Sequence, residues 1–166
     1  DIRLLCDPWL TGTAFLDGWG HLVEPSETIE SIDPTHIWIS HEHPDHFSPR
    51  DLLAVEASER AKIQVLYQAT RDRKVVNFLE LKGYDVIELE ANTRHTISSE
   101  ISVVCGQVGA DSWLLVNAGS TQILNLNDCI TGQDIMISEP DELPTETLDE
   151  IANFCIRPDV LLTQFS

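Results

Sequence analysis

Short apolar runs bounded by turn-forming residues recur along this chain at Ile2 to Cys6, His36 to Ser40, Ile63 to Tyr67 and Val86 to Leu89. Such runs are the mark of buried strands. Between them the apolar spacing turns helical. Ser48-Pro49-Arg50-Asp51 reads as a helix start, with Ser48 as N-cap, Pro49 at the first helical position and Asp51 facing the exposed amides. Leu52, Leu53, Val55 and Ala57 supply that helix's buried face. Thr70 to about Lys82 predicts a second helix with Val75, Val76, Phe78 and Leu79 inward, stopped by Gly83. A shorter helix is expected after Ser26, which would cap a turn holding Glu27, Glu30 and Ile32. Strands alternating with helices predict a layered α/β sheet.

The pattern then changes. Ile101 to Cys105, Trp113 to Asn117 and Thr121 to Leu126 read as strands with no helix between them. Asn117-Ala118-Gly119-Ser120 is a tight turn, so the last two form a hairpin. A helix from about Glu146 to Cys155 precedes a strand from Val160 to Thr163. The acids from Glu139 to Glu150 are expected on a solvated helix surface. No repeat or linker divides the chain, so residues 1–166 read as one domain.

Composition narrows the partners. Of 166 residues, 42% are hydrophobic and 23% charged, ordinary for a globular domain. The 28 acids against 10 Lys and Arg leave a net charge of −18, a field that repels nucleic-acid backbones and anionic membranes. Neither nucleic acid nor a membrane is expected as a partner; a small-molecule substrate is. Cys6, Cys105, Cys129 and Cys155 are widely spaced and form no CxxC pair, so reduced thiols and a cytoplasmic setting are expected. No signal peptide or membrane-length apolar run is visible. The chain starts in one strand-like run and stops after another, as a piece of a longer domain would.

The chemistry concentrates in Ser40-His41-Glu42-His43-Pro44-Asp45-His46, directly after the strand Ile37-Trp38-Ile39. Extended backbone would point His41 and His43 the same way, and Pro44 would hold His43 extended. Asp45 and His46 follow where the chain turns. Three imidazoles and a carboxylate suit zinc, iron or manganese better than calcium or magnesium. Asp128, after Ile123-Leu124-Asn125-Leu126-Asn127, and Asp7, at the end of the first strand, read as turn-capping acids or as further members of a site. Trp9, Trp19 and Phe15 read either as the lining of a substrate cleft or as packing over the core edge. Cys129 is expected to point away from any metal.

His41-x-His43-x-Asp45-His46 after a strand resembles the HxHxDH signature of the metallo-β-lactamase superfamily. The runs DPWLTGTAFLDGW, ISHEHPDHFS and ILNLNDC resemble, more narrowly, the branch containing the metallo-β-lactamase domain of CMP-N-acetylneuraminate hydroxylase. The resemblance implies an αββα sandwich, incomplete here at its C-terminus, with a pair of zinc ions, or else iron or manganese, in a cleft. It implies His41 and His43 on the first metal, Asp45 and His46 on the second, and Asp128 bridging them. It further implies hydrolysis by a metal-activated water, with Asp45 positioning that water or taking its proton. Asp7 resembles the family's first conserved aspartate.

Two departures stand out. The family's further first-metal histidine aligns near Gln107, a neutral amide and a weaker ligand, and His95, the nearest histidine, reads as a surface residue. The family's last histidine would lie beyond Ser166. A mononuclear or iron site, an iron-dependent hydroxylase component and a non-catalytic binding module are therefore alternatives to a dinuclear hydrolase. The Cys-x-His and Cys-x-x-His pairs of a Rieske cluster do not occur in the sequence.

Overall fold

A computed structural model describes residues 1–130 and 145–163. They divide into two units, Asp1–Glu88 and the residues from Leu89 onward, each built on its own sheet.

The first unit runs β1 (Leu4–Cys6), β2 (Thr13–Ala14), β3 (Trp19–Gly20), α1 (Ile29–Ile32), β4 (His36–Ile39), α2 (Pro49–Ala54), α3 (Ala57–Arg60), β5 (Gln64–Gln68), α4 (Lys74–Leu81) and β6 (Asp85–Leu89). Its sheet has the order β1-β4-β5-β6, and β4 pairs in parallel with both β1 and β5. Every residue of β4 is buried, as expected of a strand covered on both faces of a parallel sheet. Ile37 and Ile39 pack with Leu52 from α2, Val65 from β5, and Val76 and Leu79 from α4.

Helix starts follow side-chain chemistry. The Ser48 hydroxyl accepts the Asp51 N–H, with Pro49 in the first turn, as the sequence predicts. The N-cap of α1 is Thr28 rather than Ser26. Thr28 accepts the Ser31 N–H at 3.1 Å while Ser31 Oγ accepts the Thr28 N–H at 2.9 Å, a reciprocal cap unavailable at Ser26. Helix α4 starts at Lys74, not Thr70. The Lys74 N–H bonds Asp72 Oδ1 at 3.3 Å and Arg73 turns left-handed at φ 49°, so local side-chain bonding wins over the helix before that point.

The second unit runs β7 (Thr93–Thr96), β8 (Ile101–Val108), β9 (Asp111–Ala118), β10 (Thr121–Asn125), a 3₁₀ turn at Asn127–Ile130, α5 (Thr145–Ala152) and β11 (Val160–Leu162). Sheet order is β11-β10-β9-β8-β7. The strands β7 to β10 pair antiparallel, and β11 joins β10 in parallel. The predicted hairpin is present, with Ala118 opposite Thr121. Strand β7 was not legible from Thr93-Arg94-His95-Thr96, a polar and largely exposed edge with no apolar alternation.

Strand β8 runs through Gly106 to Val108, past the predicted end at Cys105, because Gly106 makes room for the Trp113 ring opposite. A Cβ at Gly106 would lie 2.1 Å from that ring. Trp113, Val104, Leu115 and Leu124 form this unit's core with Cys129, Ile151 and Cys155. On α5, Glu146 and Asp149 are exposed while Ile151 is buried, as expected of a solvated face. The acids from Glu139 to Asp141 and to Glu142 lie outside the described residues. Among the described residues no helix is long and apolar enough to cross a membrane.

Candidate metal centre

The parallel pairing of β1 with β4 sets Cys6 beside Trp38. One step further, Asp7 and Ser40 emerge together from the carboxyl ends of neighbouring strands, where parallel sheets bind ligands. The Asp7 N–H still bonds the Trp38 carbonyl at 2.9 Å, after which Asp7 adopts a left-handed φ of 43°, a conformation Asp tolerates better than most residues. Its carboxylate then faces Ser40. Asp7 Oδ1 accepts the Ser40 N–H at 2.7 Å and Asp7 Oδ2 accepts the Ser40 hydroxyl at 2.8 Å. On the other flank, the buried Gln68 amide holds the Ser40 carbonyl at 2.9 Å.

The histidine segment follows this anchor. Strand β4 stops at Ile39, so strand alternation does not bring His41 and His43 together as expected. A turn does. The N–H groups of His46 and Phe47 both bond the His43 carbonyl, at 3.0 and 2.7 Å, folding Pro44, Asp45 and His46 back over Ser40. His41 Nε2 then lies 2.8 Å from His43 Nδ1. The His41 and His46 rings lie 4.3 Å apart between centroids, and His46 Nε2 lies 3.3 Å from Asp45 Oδ2. His41, Asp45 and His46 are buried, and His43 is half-buried.

The back of the cluster is tied down as well. His41 Nδ1 lies 3.0 Å from Ser40 Oγ, and His46 Nδ1 lies 3.2 Å from Asp7 Oδ2. Burial by itself would push the Asp45 carboxyl up. The hydrogen bond and charge of His46, with its own backbone N–H and His41, outweigh that and hold it below the ordinary carboxylate range, so it stays ionised.

Imidazole nitrogens with an ionised carboxylate are the donors that zinc, iron and manganese take. Asp45 Oδ1 is buried without a hydrogen-bond partner, a costly state for a carboxylate oxygen that a cation would relieve. These residues fit a metal.

The other expected residues belong to other segments of the chain. Trp9 is half-buried against His21, ring centroids 4.2 Å apart, with His21 Nε2 at 2.9 Å from the Trp9 carbonyl. Trp19 is 46% exposed and meets Phe15 edge-on, and Phe15 in turn meets His43 at 6.0 Å. In the second unit Gln107 is exposed on β8, opposite Ser112. Asp128 is half-buried in the 3₁₀ turn rather than at a strand's end. Its neighbour Cys129 is buried in that unit's core. His95 lies half-buried on β7, where its Nε2 accepts the Glu90 N–H at 3.2 Å.

Ser40 was not singled out from the sequence. Its signal was available: a hydroxyl residue ends an otherwise apolar run immediately before a ligand histidine.

No known protein-family profile matches the chain. Over 154 residues it is 28% identical to the cytidine monophosphate-N-acetylneuraminic acid hydroxylase of Danio rerio, covering 82% of this chain and 26% of that protein. Over 138 residues it is 30% identical to the inactive cytidine monophosphate-N-acetylneuraminic acid hydroxylase of Homo sapiens, covering 78% and 27%. The chain thus spans about a quarter of the length of these curated relatives. In structure it is similar to CmlA, a diiron β-hydroxylase from Streptomyces venezuelae, at 18% identity and a TM-score of 0.61, covering 95% of this chain and 30% of that one. The chain has a metallo-β-lactamase-like fold, and its sequence is similar to one segment of the CMP-N-acetylneuraminate hydroxylases.

Proposed function

We propose that this chain is the metal-binding portion of a metal-dependent hydroxylase acting on a small molecule. The observation that carries the metal is the packing of the His41 and His46 rings 4.3 Å apart, with His43 Nδ1 2.8 Å from His41 Nε2, Asp45 Oδ2 3.3 Å from His46 Nε2, and Asp45 Oδ1 buried without a hydrogen-bond partner. The choice of reaction rests on the likeness to proteins named hydroxylases, one of them diiron. Iron is therefore proposed ahead of zinc. Bound there, such ions would supply Lewis acidity and, if iron, redox chemistry with dioxygen.

The chain's own residues do the rest. His41, His43 and His46 would hold the ions, and Asp45 would add its charge and position a water or take its proton. For Asp128 the sequence resemblance supplies the proposal of a further ligand carboxylate; Gln107 is proposed as a weaker one. Trp19, with Phe15 against His43, offers an exposed aromatic face to a substrate, and Trp9 supports the same loop. A cytoplasmic setting is proposed from the four thiols.

Hydrolysis is the second reading. It is supported by a donor set that suits zinc as well as iron, and by Asp45 as a proton acceptor.

Metal analysis of protein expressed with iron, zinc or manganese tests the proposal, followed by assays for dioxygen consumption and for ester, amide and phosphodiester cleavage. Stoichiometric iron with dioxygen-dependent turnover is expected, together with reduced stoichiometry in Asp128→Asn. A protein that stays metal-free in every medium sinks the metal reading; zinc-dependent cleavage without dioxygen uptake sinks hydroxylation.

A further inference from the structure

We propose that Asp51 is a positioning residue that aims the aromatic loop between Trp9 and His21 at the histidine cluster, so that loop and cluster form one substrate-binding surface. The inference rests on the metal and substrate reading above and concerns what fixes Phe15 against His43.

The loop is first closed on itself. Trp9 stacks on His21 with ring centroids 4.2 Å apart, and His21 Nε2 donates to the Trp9 carbonyl at 2.9 Å. Between them β2 and β3 pair, with Ala14 opposite Trp19. The turn beyond runs through Phe15, Leu16 and Asp17, left-handed at φ 50°, 54° and 67°. Ala14 is buried, whereas Phe15, Leu16 and Trp19 are exposed. The Phe15 ring meets both Trp19, at 5.0 Å, and His43, at 6.0 Å. Bonds within the loop set its shape but not its angle to the histidines.

Asp51 sets that angle. Its buried carboxylate receives four hydrogens. Oδ2 accepts the Leu10 N–H at 2.9 Å, the Thr11 N–H at 3.3 Å and the Ser48 hydroxyl at 2.7 Å, and Oδ1 accepts the Thr11 hydroxyl at 2.6 Å. Leu10 and Thr11 open the loop. Ser48 directly follows the turn in which the His46 and Phe47 N–H groups bond the His43 carbonyl. One planar group thus joins the loop's first residues to the segment that carries the histidines. The neighbouring Arg50 adds a second contact: a Cβ on Gly12 would lie 2.2 Å from its guanidinium, and Gly12 has a φ of 76°. Leu10 and Phe47 also pack on the same apolar cluster. Apolar packing is non-directional and only keeps the loop near. Hydrogen bonds to an ionised carboxylate are directional and strong, and decide where the loop points.

Two substitutions separate these contributions. Asp51→Ala removes all four bonds and leaves Leu10 packed. In Asp51→Asn the amide oxygen can keep the three bonds at Oδ2. Its NH₂ then donates to the Thr11 hydroxyl oxygen, which has lone pairs to receive.

The experiment is ¹⁹F NMR of the chain with 4-fluorophenylalanine at its five phenylalanines. The Phe15 signal is assigned with Phe15→Leu and read without metal and during zinc chloride titration. In the wild type, zinc should displace the Phe15 signal through His43. In Asp51→Ala the metal-free Phe15 signal should move and its response to zinc should be lost, with zinc affinity unchanged. Asp51→Asn should restore both. Lower global stability alone would not move the signal of chains that remain folded. Thr11→Val, which keeps the backbone bonds, should move Phe15 in the same direction and serves if Asp51→Ala fails to fold. A Phe15 signal unmoved in the folded variants, or moved as far by Asp51→Asn as by Asp51→Ala, would overturn the inference. A loss of zinc affinity in Asp51→Ala would overturn it too, by placing the effect on the metal turn. A wild type that binds no zinc, but whose metal-free Phe15 signal follows the variants as expected, would instead overturn the proposed function and leave the positioning intact.

Discussion

His41 Nε2 and His43 Nδ1 face one another at 2.8 Å, two ring nitrogens of which only one can carry the shared hydrogen. A cation that took both lone pairs would replace one weak bond with two coordinate bonds. Metal should therefore stabilise the folded chain, by about 2.7 kcal/mol at a free concentration one hundred times Kd. Thermal unfolding with and without added zinc or ferrous iron checks this. The metal-dependent rise in Tm should vanish on chelation and be absent in His41→Ala and His46→Ala; a rise that persists in both variants would place the metal elsewhere.

Asp51 ties the loop after β1 to the start of α2. Its buried carboxylate accepts the Leu10 N–H at 2.9 Å, the Thr11 hydroxyl at 2.6 Å and the Ser48 hydroxyl at 2.7 Å. Truncation leaves several donors unpaired at one place. Asp51→Ala should cost about 2–4 kcal/mol, against about 1 kcal/mol for the cap alone in Ser48→Ala. Denaturant unfolding of the two variants measures the difference. Equal losses would mean that Asp51 acts only as part of the helix start.

Gly106 is required by its neighbour and not by its own backbone, since a Cβ there would sit 2.1 Å from the Trp113 ring. Gly106→Ala should destabilise by about 1–3 kcal/mol through overpacking. Combining it with Trp113→Leu should give less than the sum of the two single losses, because the clash and the ring disappear together. Additive losses would assign the cost to the strand backbone instead.

The four cysteines should differ sharply toward a maleimide. Burial pushes the Cys105 thiol up to about 12, and burial together with the nearby Asp111 and Asp128 raises Cys129 as well. Near neutral pH both stay protonated, and the thiolate is the reactive form. Cys155 is also buried, whereas Cys6 is half-buried. Brief labelling of native protein followed by peptide mapping should find Cys6 modified first. Early modification of Cys105 would contradict its burial.

Much of the molecule was legible from residue order because the signals are local. Apolar runs marked β4, β5, β6 and the β9–β10 hairpin, and Ser48-Pro49 marked the start of α2; each depends on neighbours within a few positions. The metal cluster was legible for the same reason, its four candidate ligands lying within six residues of one another. What failed was also local in origin. Thr28 displaced Ser26 as a cap through a reciprocal bond with Ser31, and β7 is too polar to announce itself as a strand.

Other features exist only once strands pair. Nothing in the order of residues says that Asp7 lies against Ser40; the parallel register of β1 and β4 puts them there. That register gives His41 and His46 their backing, and a turn closed on the His43 carbonyl, rather than strand alternation, brings the rings together. Residue identity determined which donors were available to a metal. Their aim was left to hydrogen bonds between segments distant in sequence, which form only when folding has already paid the entropy of bringing those segments together.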